Sequence, residues 1–118
     1  MTVWKRGTKP SHWYPRRGEV CLIELDKERP AVVISSDTLN AHSFDVCVIP
    51  LSTMEHKAFS LRPKLKMGEG GLSRDSWAKC DQPTTVQQNL VIYPALGSVS
   101  SSSLQRIETA VKLALDLS

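Results

Sequence analysis

The sequence predicts a mainly β (α+β) domain: a strongly bent antiparallel sheet, partly closed into a small barrel, with one C-terminal α-helix against its side. Three observations predict it. Five or six short runs rich in apolar and β-branched residues follow one another at close spacing. The connection between the first two is too short for the crossover that parallel strands need, so they form a hairpin. Only the last stretch repeats its apolar residues at helical intervals.

Residues 1–17 read as an irregular arm and 18–118 as the barrel domain. In the arm, Gly7, Pro10 and Pro15 interrupt regular structure, and Trp4, Trp13 and Tyr14 alternate with Lys5, Arg6, Lys9, Arg16 and Arg17. Cations among aromatics can stack on and neutralise nucleic acid. The plainer reading is an arm that packs its aromatics on the domain or on a partner subunit.

Residues 20–25 (VCLIEL) are the first strand and Asp26, Lys27 and Glu28 the polar connection. The second strand, about 31–35, follows Arg29 and Pro30. Its successive Ala31, Val32, Val33 and Ile34 leave no polar face, as in a strand covered on both sides. Residues 36–44 are rich in turn formers and hold a short helical turn capped by Ser36 or Asp37. Residues 45–51 (DVCVIPL) are a third strand, in which Pro50 implies an edge, a bulge or the strand's end. Residues 59–65 alternate as a half-exposed strand, 67–71 are a glycine-rich turn, 76–81 a strand, 84–88 a turn and 90–93 a short strand. Leu104, Ile107, Val111 and Ala114 mark the helix, and Ser102 with Gln105 has the form of a capping box.

With 118 residues there is room for one core, and 41% hydrophobic residues suit an ordinary soluble globule. No apolar run approaches a membrane-spanning length, and the basic N-terminus lacks the apolar stretch of a secretory signal; a cytoplasmic protein is expected. The net charge of +3 permits nucleic-acid binding without demanding it. Cys21, Cys47 and Cys80 are too far apart for a zinc site and read as reduced, mostly buried residues. His12, His42 and His56 form no metal spacing, and no cofactor motif is present.

The residues with chemical potential lie at strand ends. If 77–81 is extended, Trp77, Lys79 and Asp81 share one face, while Ala78 and Cys80 fill the core. A carboxylate beside a cation can activate a hydroxyl, although a surface salt bridge is the commoner meaning of such a triplet. Arg29 precedes its strand, and Ser52 and Thr53 follow theirs. A guanidinium with hydroxyls makes a phosphate site, since its fork matches phosphate oxygens. His56 lies in the loop beyond Thr53.

The order RGEVCLIELD (17–26), RPAVVIS (29–35), VIPLST (48–53) and GLSRDSWAKCDQPTTV (71–86), followed by an amphipathic helix, resembles the MazF/PemK (Kid) toxin family. The resemblance spans about residues 16–117. It implies a Src-homology-3-like barrel, a homodimer, a cognate antitoxin, and metal-independent, sequence-selective endoribonuclease activity on single-stranded mRNA. The ribose 2′-OH would attack the adjacent phosphate, so DNA would be spared. By position, Arg29 would bind the phosphate, Asp81 would be the general base and Lys79 the general acid. Ser52, the fourth expected catalytic residue, stands where threonine is usual. Thr53, His56, Trp77 and Gln82 complete the expected RNA contacts. The chain departs from the family pattern in its short connection before Arg29, in lysine for arginine at 79, and in its longer arm. The short connection leaves a second expectation, a non-catalytic RNA- or protein-binding module on the same barrel.

Overall fold

The computed structural model describes residues 4–55 and 61–117. β1 (Glu19–Glu24) and β2 (Glu28–Val33) form the expected hairpin, and α1 (Asp37–His42) leads to β3 (Asp45–Ser52). β4 (Lys64–Leu65), β5 (Ser76–Ala78), β6 (Thr84–Gln87) and β7 (Gly97–Ser98) follow, and α2 (Ser101–Ala114) comes last. The strand order is β4-β5-β3-β2-β1-β7, with β6 also paired to β3, and each of these pairings is antiparallel. This is the curled, partly open sheet with one C-terminal helix.

β2 is covered on both faces, as its unbroken apolar run implies. Val32 joins Val20, Ile49, Leu51, Ile107 and Ala110 in the core beneath α2. Ala31 and Val33 join Cys21, Ile23 and Val48 in a second cluster on the opposite face, where Trp13 of the arm packs. Successive strand residues face opposite ways, so one strand feeds both cores. Ser36 caps α1 by accepting a hydrogen bond from the Leu39 amide (3.1 Å).

β2 runs Glu28–Val33 rather than about 31–35, because Glu28 and Arg29 already pair with Glu24 and Ile23, so Arg29 lies within its strand. Four further elements differ from the sequence reading. Residues 84–87 are a strand rather than a turn: Thr84, Thr85 and Val86 are β-branched and pair with Val48, Cys47 and Val46. Residues 90–93 do not form a strand. A 3₁₀ turn occupies Gln88–Leu90, and Val91 alone bridges to Ile23. The strand expected at 76–81 ends at Ala78, after which the chain turns at residues 80–81 and rejoins β3 as β6. Of the described part of the strand expected at 59–65, only Lys64 and Leu65 pair, just after Pro63, which has no N–H to give a ladder; residues 56–60 lie outside the described part.

Pro50 is accommodated by the same excursion. Its carbonyl accepts from the Lys79 amide (2.9 Å), so its missing N–H also faces the point where β5 gives way to β6. The cap of α2 is Ser100, whose hydroxyl accepts from the Ser103 amide (3.1 Å), not Ser102. Glu69 fixes the chain there by accepting from the amide (3.2 Å) and hydroxyl (3.0 Å) of Ser100. Glu69 belongs to a 3₁₀ turn, Glu69–Gly71, inside the glycine-rich connection between β4 and β5. Gly71 has φ 77°, and a Cβ there would collide with the Leu96 carbonyl, so glycine is required.

The cysteines are free thiols. Burial, the larger cause, raises Cys21 and Cys80 to about 12, which leaves them protonated and poor nucleophiles at neutral pH.

Candidate active site

β3 carries the site. In its ladders Ala31 pairs with Pro50, Leu51 with Ala78 and Ser52 with Trp77. Continuing the β2–β3 register by two residues sets Arg29 level with Ser52. Strand alternation then puts Arg29, Ser52 and Trp77 on one face, opposite to Leu51 and Ala78. The side chains forming this row come from the start of β2, the end of β3 and the middle of β5. Lys79 follows on the same face. Its amide is bonded to Pro50, two residues and so about 7 Å along the strand from the row.

Arg29 is half-exposed and closes on Asp26 within the hairpin turn, with Nε at 3.2 Å and Nη2 at 3.3 Å from the two carboxylate oxygens. The hydrogen bond from Arg29 is the main reason why the Asp26 carboxyl sits below its ordinary range, and the guanidinium is correspondingly strengthened as a base.

Asp81 stands on the turn after β5. Both of its oxygens accept from Arg62, each at 3.0 Å. Only 11% of the Arg62 side chain is exposed, against 34% for Asp81. The sequence reading did not single out Arg62. Its signal was slight: one cation in the alternating stretch before β4. It supplies next to Asp81 the forked guanidinium that Lys79 cannot. Gln82 lies exposed on the same turn, and His56 falls outside the described residues.

Thr53, one residue past the row, lines two adjoining clefts. One, of about 380 Å³, also meets Trp77, Arg74 and Asp75. The other, of about 410 Å³, meets Pro30, Leu72, Arg74 and Trp4. Trp77 carries the Lys64 ammonium 5.5 Å from its ring centroid. Arg74 was not singled out in the sequence either; it follows a turn serine in GLSRDS and looks like an ordinary surface cation. The arm is bound to the barrel here and elsewhere, and its Trp13 meets Tyr93 edge to face at 5.3 Å. The packing role expected of the arm's aromatics therefore holds for Trp13. Among the described residues, no cluster of three or more His, Cys, Asp or Glu could hold a metal ion, and no helix is long and apolar enough to cross a membrane.

The fold is that of solved toxin barrels. A Mycobacterium tuberculosis toxin, MazF-mt6, superposes with a TM-score of 0.76 at 22% identity, over 85% of this chain and 98% of that one. An endoribonuclease from a mycobacterial species, solved in complex with its cognate antitoxin, gives 0.77 at 24% identity, over 88% and 97%. Residues 16–115 match the model of the PemK-like, MazF-like toxins of type II toxin–antitoxin systems, and the chain belongs to that family. Endoribonuclease MazF9 of M. tuberculosis is 30% identical over 115 residues, which cover 86% of this chain and 97% of that protein.

Proposed function

We propose that the protein is a toxin endoribonuclease that cuts single-stranded RNA by attack of a ribose 2′-OH on its own 3′ phosphate. The observation that carries this is the row of Arg29, Ser52 and Trp77 across three strands, with Lys79 and Asp81 on the continuation of the third. It supplies a phosphate ligand, a hydroxyl donor, an aromatic surface and an acid–base pair along one edge. In this reading Arg29 leaves Asp26 for the scissile phosphate, and Ser52 donates to a non-bridging oxygen. The Asp81 carboxylate takes the 2′-OH proton as the oxygen bonds to phosphorus. The P–O5′ bond breaks and Lys79 gives its proton to the leaving oxygen, leaving a 2′,3′-cyclic phosphate and a 5′-hydroxyl. Arg62 holds Asp81 in place and offsets the charge that builds on phosphate. A cognate antitoxin is the expected protein partner, as in the mycobacterial complex, and a homodimer the expected state.

The test is cleavage of a single-stranded RNA in the presence of EDTA, with product ends mapped. Cyclic-phosphate ends are expected, together with complete protection by a single 2′-deoxy substitution at the cut site. Cleavage that survives this substitution would rule out the 2′-OH route. The short β1–β2 hairpin favours the second reading, a non-catalytic binding module, and retained RNA binding without any cleavage would establish that instead.

A further inference from the structure

The arm does more than cover the second core. The Trp4 indole donates to the Pro94 carbonyl (3.0 Å), and the Gly7 amide donates to the Tyr93 carbonyl (2.7 Å). Arg6 forms ion pairs with Glu24 (3.0 Å) and Glu28 (3.5 Å), which face each other across the β1–β2 hairpin. These bonds hold Trp4, itself only partly buried, as one wall of the 410 Å³ cleft. The other walls are apolar, Pro30 and Leu72 among them, and Thr53 and Arg74 supply polar groups. The 380 Å³ cleft beside it shares Thr53 and Arg74 and has Trp77 for a wall. Two clefts, each with one indole, thus share Thr53 and Arg74 as lining residues. Among the described residues the Arg74 side chain has no hydrogen-bond or ion-pair partner.

That arrangement complements a single-stranded nucleic acid, in which flat bases alternate with anionic phosphates. Indoles accept bases of any identity by stacking, and a guanidinium fork matches phosphate oxygens. We propose that the arm builds a base-binding pocket in which one RNA base stacks against Trp4, its neighbouring phosphate rests on Arg74 and Thr53, and the strand rounds the end of β3 to reach Trp77, Arg29 and Ser52 on the other face of the sheet. This rests on the RNA-cleaving reading and adds Trp4 and Arg74 to it as substrate-binding residues. The arm, clamped by Arg6 over the shortened hairpin, takes the place of a longer loop beside the RNA.

The experiment compares wild type, Trp4→Ala and Trp4→Phe. KM, kcat and cut-site distribution are read on single-stranded RNA, and indole quenching is read on a mixed-sequence oligonucleotide carrying 2′-O-methyl groups, which cannot be cut. Losing one stacked base weakens binding by roughly 5- to 150-fold. Trp4→Ala is expected to raise KM by that factor, leave kcat within about twofold, and leave the cut-site distribution unchanged, because stacking does not read base identity. Trp4→Phe should restore KM while abolishing much of the quenching. An unchanged KM in Trp4→Ala would overturn the proposal. So would a loss of activity that only follows the melting temperature and that phenylalanine does not rescue. If wild type cuts no RNA, the enzymatic reading fails separately, and the pocket stands or falls on whether the 2′-O-methyl oligonucleotide quenches wild type more than Trp4→Phe.

Discussion

Two guanidinium–carboxylate pairs stand at the candidate site, and they are built differently. Arg29 and Asp26 lie three residues apart in one exposed turn, with 50% and 72% of their side chains open to solvent. Arg62 and Asp81 are 19 residues apart, shorter by 0.2–0.3 Å per contact, and Arg62 is almost covered. An exposed local pair contributes little and exchanges readily with water or another anion. A pair that joins distant segments and shields its cation is costly to break, because the remaining charge stays poorly hydrated. The first pair thus suits a cation that must change partners during binding. The second suits a carboxylate that must hold one position through the reaction.

The sharpest way to break this comparison is at Asp81. Asp81→Asn removes the proposed base and should lower the cleavage rate by about 10²- to 10⁴-fold. It should also lower stability, because Arg62 keeps only one carbonyl acceptor. Arg62→Met should cost stability in the same way, about 1–2 kcal/mol in a urea titration. Its effect on rate should be smaller, because the base remains. If both variants keep wild-type stability, the second pair is no anchor and the contrast with Arg29 disappears.

Arg29→Ala is the complementary variant. Losing a charged ligand of the transition state should slow cleavage by about 10²- to 10³-fold. Melting temperature should not move, since among the described residues the Arg29 side chain bonds only to Asp26, in an exposed turn. Arg29→Lys should recover part of the rate, as a point charge without the fork. A drop in melting temperature equal to that of Arg62→Met would show that Arg29 is structural.

How much of this was legible in the sequence follows from the range of the interactions. β1, β2, β3 and α2 announce themselves because alternation, β-branching and helical spacing are local, and β2's double burial can be read from Ala31, Val32 and Val33 alone. The β5–β6 break was missed because it answers Pro50, more than 25 residues earlier in the chain. Thr84 and Thr85 read as turn residues until β3 is there to pair with them. Asp81 could be named from its neighbours Lys79, Cys80 and Gln82, but its partner Arg62 could not. Nothing in FSLRPKL says which carboxylate lies across from it. Arg74 reads as an ordinary surface cation for the same reason, and Trp4, although its arm suggests stacking on nucleic acid, could not be placed beside it: the two line one cleft only in the folded barrel.

The smallest expected effect concerns pH at the exposed pair. Asp26 has a carboxyl lowered from its ordinary range, chiefly by the Arg29 hydrogen bond. The sign follows from that direction. The stabilisation is present above the unfolded carboxylate range, near pH 4, and is lost as pH falls through the lowered folded value. Across neutral pH the pair should therefore be constant, and any pH dependence of RNA binding there must come from other groups. Carboxyl carbon shifts of Asp26, followed by NMR, should titrate below the free-aspartate range and move towards it in Arg29→Ala, where the backbone hydrogen bonds of the turn remain. Addition of an uncleavable RNA should move Asp26 in the same direction as the mutation, because phosphate would have taken the guanidinium. An Asp26 titration that ignores both the mutation and the RNA would mean that Arg29 never changes partners, and the first pair would be as fixed as the second.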